Sequence, residues 1–105
     1  MNFSERVVFL ALQIPVGRVT TYGDLARAAG AGKMASRSIS KVLSKYPNQK
    51  AIPWHRIVYA GGKVWWTEEH ETKRRELYEL EGIIVNNKGQ ITNFEEIIFD
   101  FSEIS

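Results

Sequence analysis

The chain has 105 residues, of which 44% are hydrophobic and 25% charged; that is enough for one hydrophobic core and too short for two, so a single domain over residues 1–105 is expected. It has no cysteine, which excludes disulfides, thiolate metal sites and any mechanism that ends with a group on sulfur. Its net charge of +2 hides an asymmetry: residues 1–60 hold nine Lys/Arg against Glu5 and Asp24, and residues 61–105 hold five against ten Asp/Glu. A polyanion such as nucleic acid would be drawn to the first half and repelled by the second, suggesting one binding face and one outward face. No stretch approaches the ~18 apolar residues of a membrane span, and Glu5, Arg6 and Gln13 interrupt the apolar run that a signal peptide needs, so an intracellular protein is expected.

Asn2 and Glu5 have capping-box spacing ahead of Val7, Val8, Leu10 and Ala11, which predicts a first helix over roughly 3–13, closed by Pro15. Pro15-Val16-Gly17 reads as a turn and Val19-Thr20 as briefly extended. Thr21 and Asp24 open a second helix that Gly30 ends. After the bend Gly30-Ala31-Gly32, a third helix is predicted from Ala35 or Ser36 to about Tyr46, with Ile39, Val42 and Leu43 as its buried stripe. Two short helices around a glycine-containing turn suggest a helix-turn-helix, with Arg37, Ser38, Lys41, Ser44 and Lys45 as phosphate contacts and Ser36, Ser38 and Ser40 allowing close backbone approach. An ordinary helical hairpin with a solvated face has the same pattern.

Residues 56–66 are two apolar runs around Gly61-Gly62, a hairpin or looped-back pair. Thr67 caps a further helix with Glu68 and Glu69 in its first turn, Leu77 and Leu80 as core positions and Gly82 as its stop. The remainder is an extended pair around Asn86-Asn87-Lys88-Gly89, then an acidic segment carrying Phe94, Ile97, Ile98, Phe99 and Phe101, expected to pack on the core as a final element. The expected fold class is mainly α with small β elements.

The most informative stretch is Ile52-Pro53-Trp54-His55-Arg56-Ile57-Val58. It resembles the Pro-Cys-His-Arg-Val motif of O6-alkylguanine-DNA alkyltransferases, with Trp54 where that family has its alkyl-accepting cysteine. Ile14-Pro15-Val16-Gly17-Arg18-Val19-Thr20-Thr21-Tyr22-Gly23-Asp24-Leu25-Ala26 resembles the family's entry into its helix-turn-helix, Ala35-Ser36-Arg37-Ser38-Ile39 its recognition helix, and Leu80-Glu81-Gly82 its glutamate motif. The resemblance covers about residues 3–85, the C-terminal DNA-binding domain of that family, leaving 86–105 as a C-terminal extension. It implies a winged-helix-like, helix-turn-helix fold, and Trp for Cys is the pattern of the alkyltransferase-like proteins, which bind alkylated guanine without repairing it. An indole is not the strong nucleophile that irreversible alkyl transfer needs.

The resemblance implies that Tyr22 crowds the phosphate beside the target nucleotide, that Arg37 fills the gap left by the extruded base, and that Thr21, Ser36, Ser38 and Ser40 lie on the DNA. It implies an alkylguanine pocket of Trp54, Leu43, Ile57, Val64, Trp65 and Trp66, although the lid stretch Trp65-Trp66-Thr67-Glu68 departs from the family's Gly-rich loop. His55 and Glu81 match the pair that activates the nucleophile in the cysteine enzymes; here they are expected, with Arg56, to be a polar network supporting the loop. Tyr46 stands where the family has Asn, and one additional residue separates Tyr22 from Arg37. His70 is expected at the surface, and two histidines in all argue against a metal site.

The function expected is a non-enzymatic sensor that flips O6-alkylguanine in double-stranded DNA and flags it for nucleotide excision repair proteins, as a monomer without cofactor, metal or membrane, located in the cytoplasm or, in a eukaryote, the nucleus. The outward partner face is expected to carry Glu95, Glu96, Asp100 and Glu103. Two alternatives are a hydrolase using water activated by His55 and Glu81, and a plain helix-turn-helix regulator. The second needs base-reading Arg, Asn or Gln, whereas residues 35–45 offer only Arg37.

Overall fold

The computed structural model describes residues 1–31 and 33–104, with the backbone alone at 33–35; the expected roles of Gly32 in the bend and of the Ala35 side chain lie outside the described residues. Helix α1 (Phe3–Ala11) starts with the reciprocal capping box: the Glu5 amide donates to Asn2 Oδ1 at 2.8 Å and the Asn2 amide to Glu5 Oε1 at 3.3 Å. Its Val7 and Ala11 are fully buried. Strand β1 (Thr20–Thr21) then runs parallel to β2 (Ile57–Val58), with Thr20 opposite Ile57 and Thr21 opposite Val58. The second apolar run of 56–66 therefore does not form the ladder of a hairpin; the chain closes on itself only through a bridge between Tyr59 and Lys63.

Thr21 Oγ1 accepts from the Asp24 amide at 3.0 Å and starts α2 (Tyr22–Ala28). Gly30, at φ +91°, ends it, with the Ala31 amide donating back to Ala26 O at 3.1 Å. The third helix differs from the expected continuous one. Residues Lys33–Ser38 form a 3-10 turn and only Ile39–Ser44 is α-helical (α3). Ser36 and Ser38 have weak helix propensity, Ser38 makes no capping bond, and Pro47 stops continuation, so only the turn carrying the buried Ile39 and Leu43 is held in α geometry by packing.

Helix α4 (Glu68–Leu80) corrects one expectation about the core. Its buried residue is Tyr78, 2% exposed, while Leu80 is 82% exposed. The two lie about 200° apart around the helix, so one face cannot bury both. Leu77 is partly covered. Gly82, at φ +74°, ends α4, with the Ile83 amide donating to Tyr78 O at 2.9 Å.

The C-terminal segment is built into the domain. Val19 bridges Ile98 on the side of β1 away from β2, through Val19 N–H to Ile97 O at 3.1 Å and Phe99 N–H to Val19 O at 2.7 Å. Arg18 clamps it: Nε donates to Ile97 O at 3.1 Å, one terminal nitrogen donates to Ile98 O at 2.9 Å, and Glu103 pairs with that nitrogen at 2.8 Å. Glu103 is thus engaged with the domain itself. Phe99 joins Val7, Leu25, Ile39, Leu43 and Ile57 in one core cluster; Val19, Val58, Val64, Tyr78, Ile83 and Ile91 form a second, on the other side of β1.

Candidate nucleic-acid interface

The loop 49–56 is fixed by one carboxylate. Glu81, at the C-cap of α4, accepts from Arg56 Nε at 2.9 Å and from an Arg56 terminal nitrogen at 2.8 Å, and also from the Gly17 amide at 2.9 Å. Gly17 has φ +84°, and a Cβ there would sit 3.3 Å from Glu81 O, so the turn after Pro15 needs glycine to come this close. The other terminal nitrogen of Arg56 donates to Ile14 O at 3.0 Å. His55 Nε2 lies 2.5 Å from Glu81 Oε2. Burial alone would raise the Glu81 pKa, but Arg56, the Gly17 amide and His55 outweigh it and hold it at about 2. The ionised carboxylate only accepts, so His55 donates from Nε2, which in the neutral imidazole leaves the lone pair on Nδ1. Burial lowers the His55 pKa, against the pull of Glu81.

Trp54 follows directly from this clamp. Its Nε1–H donates to Gln49 Oε1 at 3.2 Å, and Gln49 Nε2 donates to Leu43 O at 2.9 Å and Tyr46 O at 2.7 Å, tying the end of α3 to the indole. Gln49 was not singled out from the sequence, although a Gln three residues past Tyr46 is placed to cap helix carbonyls. Beside Trp54 a cleft of about 600 Å³ opens between the loop and α4, lined among others by Gln49, Lys50, His70, Lys73 and Arg74. The other expected pocket residues are not among its lining. Leu43 and Ile57 are buried in the first core cluster, against which Trp54 packs. Val64 is in the second cluster with Trp66 against it, Trp66 stacks under the Arg75 guanidinium at 4.5 Å, and Trp65 is 58% exposed.

Tyr22 opens α2 and is half-buried, with its ring 5.4 Å from that of Tyr59; burial raises its pKa, against the opposing pull of Ser40. Tyr78 O–H donates to His55 O at 2.6 Å, and burial pushes its pKa up to about 12 against the opposing pull of Arg74, one turn earlier on α4. Arg74 and Tyr78 have the i, i+4 spacing that could have marked them in the sequence; Tyr59 had no such signal. Arg37 is exposed at the end of the 3-10 turn, as is Ser40 in α3, while Ser36 and Ser38 are partly covered. The Thr21 hydroxyl is occupied by the Asp24 cap. His70 Nδ1 is 2.7 Å from Thr67 Oγ1, so Thr67 sits at the N-cap of α4 without a capping bond to the backbone. Among the described residues no group of three or more His, Asp or Glu is placed to hold a metal ion.

The division of charge by chain halves does not map onto faces, because α4 brings Lys73 and Arg74 beside Lys50. The arrangement therefore offers a cationic cleft next to an indole, with a tyrosine pair and an exposed arginine on the helix-turn-helix side.

The comparisons with known proteins bear on the same elements. Residues 2–83 match the family model of the 6-O-methylguanine DNA methyltransferase DNA-binding domain. A DNA base-flipping protein of Escherichia coli strain K12 is 38% identical over 90 residues, covering 86% of this chain and 69% of that one. Alkyltransferase-like protein 1 of Schizosaccharomyces pombe is 28% identical over 84 residues, covering 78% and 77%. The fold matches S. pombe Atl1, solved with damaged DNA containing O6-carboxymethylguanine, at a TM-score of 0.74 and 24% identity over 93% of this chain and 94% of that chain.

Proposed function

The chain belongs to the family of the 6-O-methylguanine DNA methyltransferase DNA-binding domain, and on that premise we propose that it recognises alkylated guanine in duplex DNA by base extrusion, without alkyl transfer. The observation that carries this reading is Trp54 itself: an indole stands in the loop that His55, Arg56 and Glu81 hold in place, and its one polar atom is bonded to Gln49. The polar frame of a reactive site is present around a side chain that cannot act as its nucleophile. The name of the E. coli relative, a base-flipping protein, agrees with such a role.

In this reading Tyr22, its ring tilted against that of Tyr59, presses on the backbone next to the target nucleotide and Arg37 takes the vacated place in the stack, a use suited to a planar cation. Extrusion costs a few kcal/mol, less where alkylation has already weakened pairing, so lesions are favoured before any contact with the alkyl group. The bound duplex then serves as the signal for excision-repair proteins, with the chain acting as a monomer. Glu95, Glu96 and Asp100, all exposed, are the carboxylates left to face such a partner.

The test is binding at fixed moderate salt to two duplexes that differ only in one O6-methylguanine or guanine, followed by assay of the lesion. Tighter binding with the methyl group intact supports a sensor. Equal binding reduces the chain to a general DNA-binding domain, and loss of the methyl group makes it an enzyme.

A further inference from the structure

Each strand of the small sheet is followed by a tyrosine. Thr20 lies opposite Ile57 and Thr21 opposite Val58, so Tyr22 and Tyr59 are the next residues on two neighbouring parallel strands. Tyr22 is also the first residue of α2, where a side chain leans back toward the helix N-terminus and hence toward the strand ends. The two rings meet there, with centroids 5.4 Å apart and planes at 36°, inside the range of favourable aromatic pairs. Tyr22 packs on the first core cluster as well, so its ring has the core as one neighbour and Tyr59 as another.

Tyr59 is 47% exposed, yet its backbone is fixed. Its amide donates to Lys63 O at 2.8 Å and its carbonyl accepts from the Gly62 amide at 3.0 Å. The Ile91 amide donates to Gly62 O at 2.9 Å and fastens this turn to the C-terminal part of the chain. A ring on such a base can resist a push from its neighbour. That resistance matters for extrusion, because a tyrosine pressing on a phosphate meets an equal reaction, and a ring free to turn about its own torsions yields instead of moving the nucleotide. Holding the ring in place beforehand also reduces the freedom lost on binding.

We propose that Tyr59 is a positioning residue for base extrusion: its ring backs that of Tyr22 and holds it in the orientation that displaces the target nucleotide. Its action goes through Tyr22 rather than through a DNA contact of its own. This rests on the reading of Tyr22 as the side chain that drives extrusion.

The experiment uses the full chain and a duplex with 2-aminopurine beside one O6-methylguanine, a reporter whose fluorescence rises when its neighbour leaves the stack. Affinity and the fluorescence rise at saturating protein are read for the natural chain, Tyr59→Ala, Tyr59→Phe, Tyr22→Ala and the double variant, with thermal melts to establish that each is folded. Tyr59→Ala is expected to weaken binding of the lesion duplex by about three- to tenfold, the value of one aromatic pair, and to lower the rise at saturation. Tyr59→Phe keeps the ring and is expected to stay within about twofold of the natural chain. In the Tyr22→Ala background Tyr59→Ala is expected to add nothing, because a residue that acts through another is silent once that other is gone. No loss in Tyr59→Ala overturns the proposal. An equal loss in Tyr59→Phe overturns it by making the hydroxyl the active group, and a further loss in the double variant overturns it by making Tyr59 a DNA contact. Should Tyr59→Ala melt early, Tyr59→Leu, which keeps apolar volume without a ring, takes its place. Absence of any rise with the natural chain defeats base extrusion itself, whereas a rise that Tyr22→Ala abolishes and Tyr59→Ala leaves intact defeats only the role of Tyr59.

Discussion

Arg56 and Glu81 are joined side-on, with Arg56 Nε 2.9 Å from Oε1 and a terminal nitrogen 2.8 Å from Oε2, across 25 positions of chain. The Glu81 side chain is 8% exposed and that of Arg56 17%. The pair ties the end of α4 to the loop that presents Trp54, while the Gly17 amide adds the turn after α1 to the same carboxylate. Glu81→Gln removes the charge and leaves Arg56 buried without a counterion, so a loss of about 3 kcal/mol of folding stability is expected in denaturant titrations. A change below about 1 kcal/mol would show that the pair only orients the loop.

Stability should fall on the acid side in two stages. His55 is held below its ordinary 6.5, first by burial, so the unfolded chain binds its proton first and stability declines as pH drops below about 6.5. Glu81, at about 2 in the fold against 4.5 when unperturbed, contributes stability that is complete above 4.5 and lost as pH falls toward 2. Urea midpoints measured from pH 8 to 3 should trace both stages, and Glu81→Gln should reduce the lower one. A midpoint constant down to pH 3 contradicts this account.

Gly61 and Gly62 are adjacent and both have positive φ, at +78° and +92°. A Cβ on Gly61 meets open space, whereas one on Gly62 would come within 2.9 Å of Phe94 carbons. Gly61→Ala should cost about 1 kcal/mol for left-handed backbone alone, and Gly62→Ala about 2–4 kcal/mol because Phe94 must also move. Thermal melts of the two variants rank them directly.

Trp54 and Arg37 should separate in DNA binding. Arg37→Ala is expected to weaken lesion-containing and plain duplexes by a similar factor of about 5–30, the loss of one stacking contact, whereas Trp54→Ala should mainly lower the ratio between them. Equal effects of the two variants on that ratio would contradict their assigned roles.

Leu80 and Tyr78 test which face of α4 is buried. Leu80→Ala should change stability by less than about 0.5 kcal/mol, and Tyr78→Phe should cost about 1–2 kcal/mol by leaving the His55 carbonyl without its donor. A large loss at Leu80 would mean that a further surface covers it.

Local chemistry was readable along the chain because each signal acts within a few residues. The Asn2/Glu5 box, the Thr21 cap, and the Gly30 and Gly82 stops all stand where their side chains or backbone freedom require. The order of motifs around Trp54 and the missing cysteine also identified the family and bounded its chemistry without coordinates. Tertiary structure decided what depends on distant partners. It chose Tyr78 over Leu80 for burial, since periodicity alone allowed more than one face of α4, and it split the third helix where packing rather than propensity holds the turn around Ile39 and Leu43. It placed Leu43, Ile57 and Val64 in the cores while Gln49, Lys73 and Arg74 line the cleft. The reason is physical: caps and turns are satisfied by neighbours in sequence, whereas a cleft is bounded by whichever side chains two separate elements leave facing each other once their apolar surfaces have been buried.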